Sequence, residues 1–471
     1  MKLGLQIGYD DPRGGVATYG GVDHTRPAGS HPDWGAPRPE APIRTMPTLL
    51  SFAALFLTVI LVQLGSGTLG PLDALAGSVR GFTPEEIGLL GSAHFLGFFA
   101  GCWLAPRYIG SVGHSRAFAA AAAIGATGAL LHPVLEGPYA WAALRLLTGT
   151  AVASAYTVVE SWLQAEVETS NRGRVFGIYR VVDLSGQIMA QGLIAVLDPA
   201  TYVSYNIVAV FCCLCLLPLA LTRRGAPPTP KAPRLQPIRA ALISPSACFG
   251  TIVAGLAGAS FRMVGPVFGV ANALSQSEVA LFLTAAVVGG MAAQYPVGWI
   301  SDKTDRRHVL TGLSAGAILS SLAVAYLVEP GATGVIFLGA FVFGVTSYPV
   351  YSVSAALAND LSPRDFMVEV NAALIFFYSV GAIVSPVISA WLIAAYGPAA
   401  LFLFIAAVHL ALILFALYRM TRRGPAGPTT PYTLVPRTTL IVGRMFRRNH
   451  RNARAARHEP KANELQERRD E

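Results

Sequence analysis

Charge is what this sequence has little of: Asp, Glu, Lys and Arg together supply 13% of 471 residues, too few to cover a water-exposed surface of that size. Cysteine is sparse as well. The five thiols, Cys102, Cys212, Cys213, Cys215 and Cys248, sit in or beside apolar runs with no metal-ligand or disulfide-framework spacing, so they read as packing residues. A basic tip followed by an apolar core is missing from the first 45 residues, which excludes a cleavable signal peptide there. That stretch is rich in Gly, Pro and charge, and it reads as disordered. Met46 directly precedes the first apolar run, so the working chain is expected to begin there; peptides from residues 1–45 in the native protein would sink that expectation. No Gly-x-x-x-x-Gly-Lys-Ser/Thr loop occurs, so ATP is not the energy source. Nor does any nucleophile-and-base pair or metal-ligand cluster stand out, which argues against an enzyme and against a cofactor.

What the chain has in abundance is apolar length. Hydrophobic residues make up 53% of it and the mean hydropathy is +0.51. A helix rises about 1.5 Å per residue, so about 20 apolar residues cross a hydrocarbon core. Such runs recur at 48–70, 84–106, 115–134, 139–164, 173–196, 201–221, 244–268, 277–300, 308–328, 333–357, 368–395 and 399–419. Helices are the expected form, because an open sheet edge in lipid leaves backbone groups unpaired. The expectation is an all-α membrane protein with twelve transmembrane helices.

Orientation follows from the basic residues. With both termini in the cytoplasm, Arg107, Arg116, Arg174, Arg223, Arg224, Lys303, Arg306 and Arg307 fall at inner ends, and Arg80 is the one basic residue in an outer loop. The net charge of +9 therefore needs no nucleic-acid partner. Much of it lies in the tail beginning "RMFRRNHRNARAARHEP", a topological determinant or a polybasic segment for anionic lipid.

The longest interior break, residues 222–243, contains Arg223, Arg224 and the prolines of "APPTP", and it divides the runs into six and six. The expected organisation is an extension at 1–45, bundles at 46–221 and 244–420, a cytoplasmic linker at 222–243, and a basic tail at 421–471. The halves repeat. "GCWLAPRYIGSVGHSR" from Gly101 follows the second run, and "GWISDKTDRRHVL" from Gly298 follows the eighth. In the second copy Gly298, Asp302, Lys303, Arg306 and Arg307 closely resemble the loop signature of the major facilitator superfamily. The first copy, with Gly101 and Arg107, has Ala105 where that signature has an acid. On the fourth run Arg145 and Gly149 resemble a second signature of the same superfamily. "VVESWL", "NRGRVFGIYRVVD" and the "APR…GHSR" loop look like its YcaD-like branch. The resemblance spans about residues 46–420. It implies two pseudo-symmetric six-helix bundles rocking about a central site, a monomer in the inner membrane, and a loop motif that locks one side of the transport cycle.

Candidate site residues are charges inside the runs. Arg180, Asp183, Gln187 and Gln191 share one helix face, and such a stripe belongs against the bundle interior rather than lipid. Arg145, Gly149, Tyr156 and Glu160 form a second polar face; Arg262 and Glu369 stand in the second half. Each has a plainer reading: Arg180 with Asp183 as a packing pair, Glu160 and Glu369 solvated near helix ends, and Arg262 snorkelling outward. Tyr348, Tyr351, Ser352, Phe377, Tyr378 and Ser379 are cavity candidates that packing would also explain. Desolvation and a neighbouring arginine pull a carboxylate's proton affinity in opposite directions, so Asp183 or Glu160 is suited to proton coupling. The expected function is proton-coupled movement of a small organic solute by alternating access, with protons, solute and lipid as partners and export favoured over uptake or uniport. A transport-dead sensor or scaffold is the rival class. Three arginines would suit an anion, yet Asp183 or Glu160 would neutralise some of them, which leaves the sign of the solute's charge open.

Overall fold

The computed structural model describes residues 45–167, 172–221, 235–327 and 333–422. Residues 1–44 and 423–471, with the expected extension and basic tail, lie outside them. Among the described residues there is no strand. The helices are α1 (Thr45–Val62), α2 (Thr68–Val79), α3 (Pro84–Val112), α4 (His114–Leu131), α5 (Pro138–Glu166), α6 (Arg172–Ile194), α7 (Tyr202–Leu214) and α8 (Leu216–Ala220) in the first half. The second half holds α9 (Pro237–Ile243), α10 (Pro245–Ala271), α11 (Gln276–Lys303), α12 (Arg306–Leu327), α13 (Thr333–Ser347), α14 (Pro349–Leu361), α15 (Met367–Tyr396) and α16 (Ala400–Arg422).

Ten of these helical segments are long and apolar enough to cross a membrane. The expected third and fifth runs are also helical, as α4 and α6, but they fall short of the same measure; α6 carries Arg172, Arg174, Arg180 and Asp183. Outward faces display Leu57, Leu319, Leu338 and Leu414, from 49% to 70% exposed, a surface that hydrocarbon accepts and water does not.

Two boundaries differ from the sequence reading. The first run does not stop at residue 70. It continues through Pro71 to Val79, with a five-residue π turn, Gln63–Gly67, just before the proline. Proline offers no N–H to the carbonyl four residues back and its ring crowds that carbonyl, so a wider turn there lets the helix continue. The linker assigned to 222–243 contains the short helix α9, which opens on Pro237 at a position where a missing N–H costs nothing.

Helix starts repeat between the halves. Thr83 caps α3 with Glu86 reaching back, and Ser275 caps α11 with Glu278 doing the same. Packing repeats too: α3 with α5 corresponds to α11 with α13, and α4 with α7 to α12 with α16. Glycines sit in the α3–α5 and α11–α13 seams, where a Cβ at Gly97 or Gly101 would run into the α5 backbone and one at Gly289 into the α13 backbone. The halves meet where α3 packs on α15, α6 on α11, and α2 on α10.

The apolar core is distributed unevenly along the bundle. At the end carrying the α2–α3 and α10–α11 turns, called here the far end, one cluster joins both halves, from Leu69, Leu90 and Trp141 to Phe261, Phe282 and Phe402. At the opposite, basic end each half has its own cluster. Phe52, Phe118 and Trp162 belong to one, Val297, Val353 and Leu374 to the other.

Candidate functional site

Between the halves lies a cavity of about 200 Å³. The π turn brings Gln63, Ser66 and Gly67 to its wall, and α6 presents Arg180, Gln187 and Gln191. Asp183, fully buried, stands behind that wall. Its Oδ1 accepts hydrogen bonds from Gln63 Nε2 (2.6 Å) and the Tyr156 hydroxyl (2.9 Å), and its Oδ2 accepts one from Arg180 Nη1 (2.7 Å). The carboxylate is thus wired to the cavity through three residues, Gln63, Tyr156 and Arg180, that line it. Glu160 does not line the cavity. It is 1% exposed and accepts a hydrogen bond from the Tyr179 hydroxyl at 2.9 Å, so the solvated reading of it does not hold.

Arg145 also reaches the cavity, held by a residue the sequence reading passed over. Asp73 on α2, 1% exposed, lies 3.5 Å from Arg145 Nε and 3.3 Å from His132 Nε2, and accepts a hydrogen bond from the Tyr205 hydroxyl at 3.0 Å. The His132 ring stacks on Tyr205, and its Nδ1 is 2.6 Å from the Gly128 carbonyl, an acceptor, so Nδ1 is the donor there. The first run, read as ending at residue 70, left Asp73 outside it. The signal available was the apolar spacing Leu69, Leu72, Leu75, which continues the helix around it.

From the second half, α10 contributes Arg262. Its guanidinium lies over the Phe95 ring of α3 (5.4 Å to the ring centre) and donates to the Tyr378 hydroxyl at 3.3 Å. It lines the cavity rather than snorkelling outward, together with Tyr348, Tyr351, Ser352 and Tyr378. The Tyr351 and Tyr378 rings meet edge to face. Phe377 packs with the second half's own core, and the Ser379 hydroxyl donates to the Ile375 carbonyl, so neither is in the cavity wall. Glu369, half-buried in the first turn of α15, also lies outside it. His94 and Gln294 line the cavity without having been singled out.

The second copy of the repeated loop forms two ion-pair sets at the basic end. Arg306, 1% exposed, lies 2.8 Å from the equally buried Asp360 at the end of α14 and 3.3 Å from Asp302. Arg307 turns away to make a bidentate pair with Asp305, at 2.7 Å for the shorter arm. Burial alone would raise the Asp305 carboxyl, but the hydrogen bonds from the Arg307 side chain and backbone, with the charges of Arg307 and His308, outweigh it and hold the group below its usual range. Lys303 sits over Trp299 (3.9 Å) and Arg107 over Trp103 (4.0 Å), the same four-residue spacing in each half. Gly101 abuts Thr150 of α5, and Gly298 is buried.

Comparison with known proteins agrees with this geometry. The family model of the Major Facilitator Superfamily matches residues 55–254 and 247–453. The chain is similar to the uncharacterized MFS-type transporter YcaD of Escherichia fergusonii, 25% identical over 380 residues that cover 80% of this chain and 96% of the relative. The YcaD of Salmonella typhi is 26% identical over 385 residues, with the same coverage of 80% and 96%. Among solved structures the fold resembles the nucleoside transporter NupG, with a TM-score of 0.66 at 15% identity over 80% of this chain and 99% of that one. It also resembles a bacterial homolog of the human lysosomal transporter Spinster, inward-facing and unoccupied, with a TM-score of 0.62 at 15% identity over 85% and 98%.

Proposed function

The chain belongs to the Major Facilitator Superfamily, and on that premise we propose that it moves a small organic solute across a bacterial inner membrane by proton-coupled alternating access. The observation that carries this reading is the buried Asp183, joined by hydrogen bonds to Gln63 of the π turn, to Tyr156 and to Arg180, three residues of the cavity wall. Solute that engages Gln63, Tyr156 or Arg180 at the cavity wall competes for their hydrogen bonds to Asp183. That changes how well the carboxylate is stabilised, and so binds or releases a proton. With the basic end in the cytoplasm, as the distribution of arginines favours, the shared core at the far end makes this an inward-open state. The two rocking bodies are the halves 46–221 and 244–420, and the favoured direction is export in exchange for protons.

The test is the pH inside proteoliposomes on adding a library of metabolites and drugs, with wild type and Asp183→Asn side by side. Substrate-dependent proton movement in the wild type, lost in Asp183→Asn, is the expected result. The sign of the change separates exchange from symport. Proton movement retained in the variant would make Asp183 a packing residue and move the coupling role to Glu160 or Asp73.

A further inference from the structure

The charges around the cavity do not cancel, and the remainder is informative. Three arginines line it and, among the described residues, no carboxylate does. Arg180 is matched by Asp183 and Arg145 by Asp73. Arg262 has no ion-pair partner among the described residues; its polar neighbour is the neutral Tyr378 hydroxyl, and its other contact is the face of Phe95. Glu160 is turned to Tyr179 outside the cavity wall. A guanidinium held at membrane depth without a counter-charge is costly, and it presents a planar fork of donors suited to a carboxylate or sulfonate.

We propose that the solute of this site is an organic monoanion with an aromatic or compact apolar body, its acidic group bound by Arg262. This rests on the transport reading above and names the substrate class of the same site. One unmatched arginine fixes one negative charge, since a second would have to displace Asp183 or Asp73 from a buried pair. The body is set by the wall beside Arg262, where Phe95, Met263, Tyr348, Tyr351 and Tyr378 supply apolar and ring surface. A cavity of about 200 Å³ has room for a ring of benzene size, which an apolar void of about 150 Å³ is known to hold. Met263, the next residue on α10, stands beside Gly70 and Gly91 where the halves meet, and Arg262 itself reaches across to Phe95 of α3, so an anion there also screens a cation at the closed end.

Two measurements on the full chain test this together. In detergent, the unfolding midpoint is followed with benzoate, benzenesulfonate, benzamide and benzyltrimethylammonium at millimolar concentration, for wild type, Arg262→Gln and Arg262→Lys. In proteoliposomes, uptake of labelled benzenesulfonate and benzyltrimethylammonium is followed, because benzoic acid crosses bilayers unaided. The expected result is stabilisation of the wild type by the two anions alone, an apparent affinity about 100-fold weaker in Arg262→Gln, and an intermediate loss in Arg262→Lys. A wild type stabilised by the amide or the ammonium instead, or by none of the anions, overturns the proposal; this comparison needs no variant, so a misfolded Arg262→Gln does not obscure it. Arg262-dependent anion binding without uptake overturns the transport reading and leaves the anion site standing. Uptake of the ammonium that persists in Arg262→Lys or Arg262→Gln does the reverse.

Discussion

The two ends of this bundle are built on the same repeated helices and behave as opposites. At the far end, Met263 and Pro386 of the second half sit against Gly91 of the first, and a Cβ on Gly88 would lie 2.5 Å from the Pro386 carbonyl oxygen and 2.6 Å from Ala390 Cβ. Gln276, at the start of α11, donates to the Ile194 and Leu197 carbonyls at the end of α6. Apolar surface, close backbone approach and a side-chain cap therefore join the halves there. At the basic end the strong contacts described stay within a half, as Arg306 with Asp360 or Tyr179 with Glu160. A bundle that must open and close at alternate ends needs joints that can part. Glycine seams and one capping glutamine part without stranding a charge, whereas a buried ion pair across the seam would not.

Four changes would break or sharpen that contrast. Asp360→Ala should have the largest effect, since it removes the nearest counter-charge of a buried arginine. The loss should be about 3 kcal/mol, read as a fall in unfolding midpoint, with Asp302 keeping it at the low end of the usual range. Replacing both partners, Arg306→Met with Asp360→Leu, should recover most of it.

Gly88→Leu should act on the other end, overpacking the closed seam by about 1–3 kcal/mol and shifting the population toward opening there by roughly 5- to 150-fold. A reporter cysteine in place of Met263, in a background without the five native thiols, should then react faster with a thiol reagent from the far side. Unchanged reactivity would mean that the far end opens elsewhere. Gln276→Ala should weaken closure by about 1 kcal/mol, seen with the same reporter and with little change in overall midpoint.

The smallest effect is the pH dependence from Asp305. Its folded-state affinity for a proton is lowered, so its contribution is present above the ordinary carboxylate range and is lost as pH falls through the folded value. At this partly exposed pair the contribution should not exceed about 1 kcal/mol, and Asp305→Asn should flatten the acid limb of the stability profile by that amount.

How much of this was legible beforehand differs by region for physical reasons. Hydrophobic length placed the helices, and the cost of charge in hydrocarbon was the ground for expecting Arg180, Gln187 and Gln191 on an inward stripe; all three are in the cavity wall. The repeated loop after Gly298 was readable as a motif, and with it the reach of Arg306 to Asp302 one turn back, but the further partners Asp360 and Asp305 were not. Arg306 reaches Asp360 because α12 packs on α14, which no spacing encodes, while Arg307 pairs with Asp305 two residues before it. Asp73 was missed because the first run was read to stop at residue 70, and only the structure shows the helix going on through the π turn and Pro71.

By itself the sequence determined that this is a helical membrane protein of two repeated halves with polar residues committed to its interior, because hydropathy and the expense of buried charge act residue by residue. Only the tertiary structure decided which arginines are neutralised. Arg145 finds Asp73 some seventy positions away and Arg262 finds no carboxylate among the described residues, whereas the Arg180–Asp183 pair is one turn apart and was readable from spacing. The sign of the charge left in the cavity depends on distances across the fold, and those exist only once the halves have closed around it.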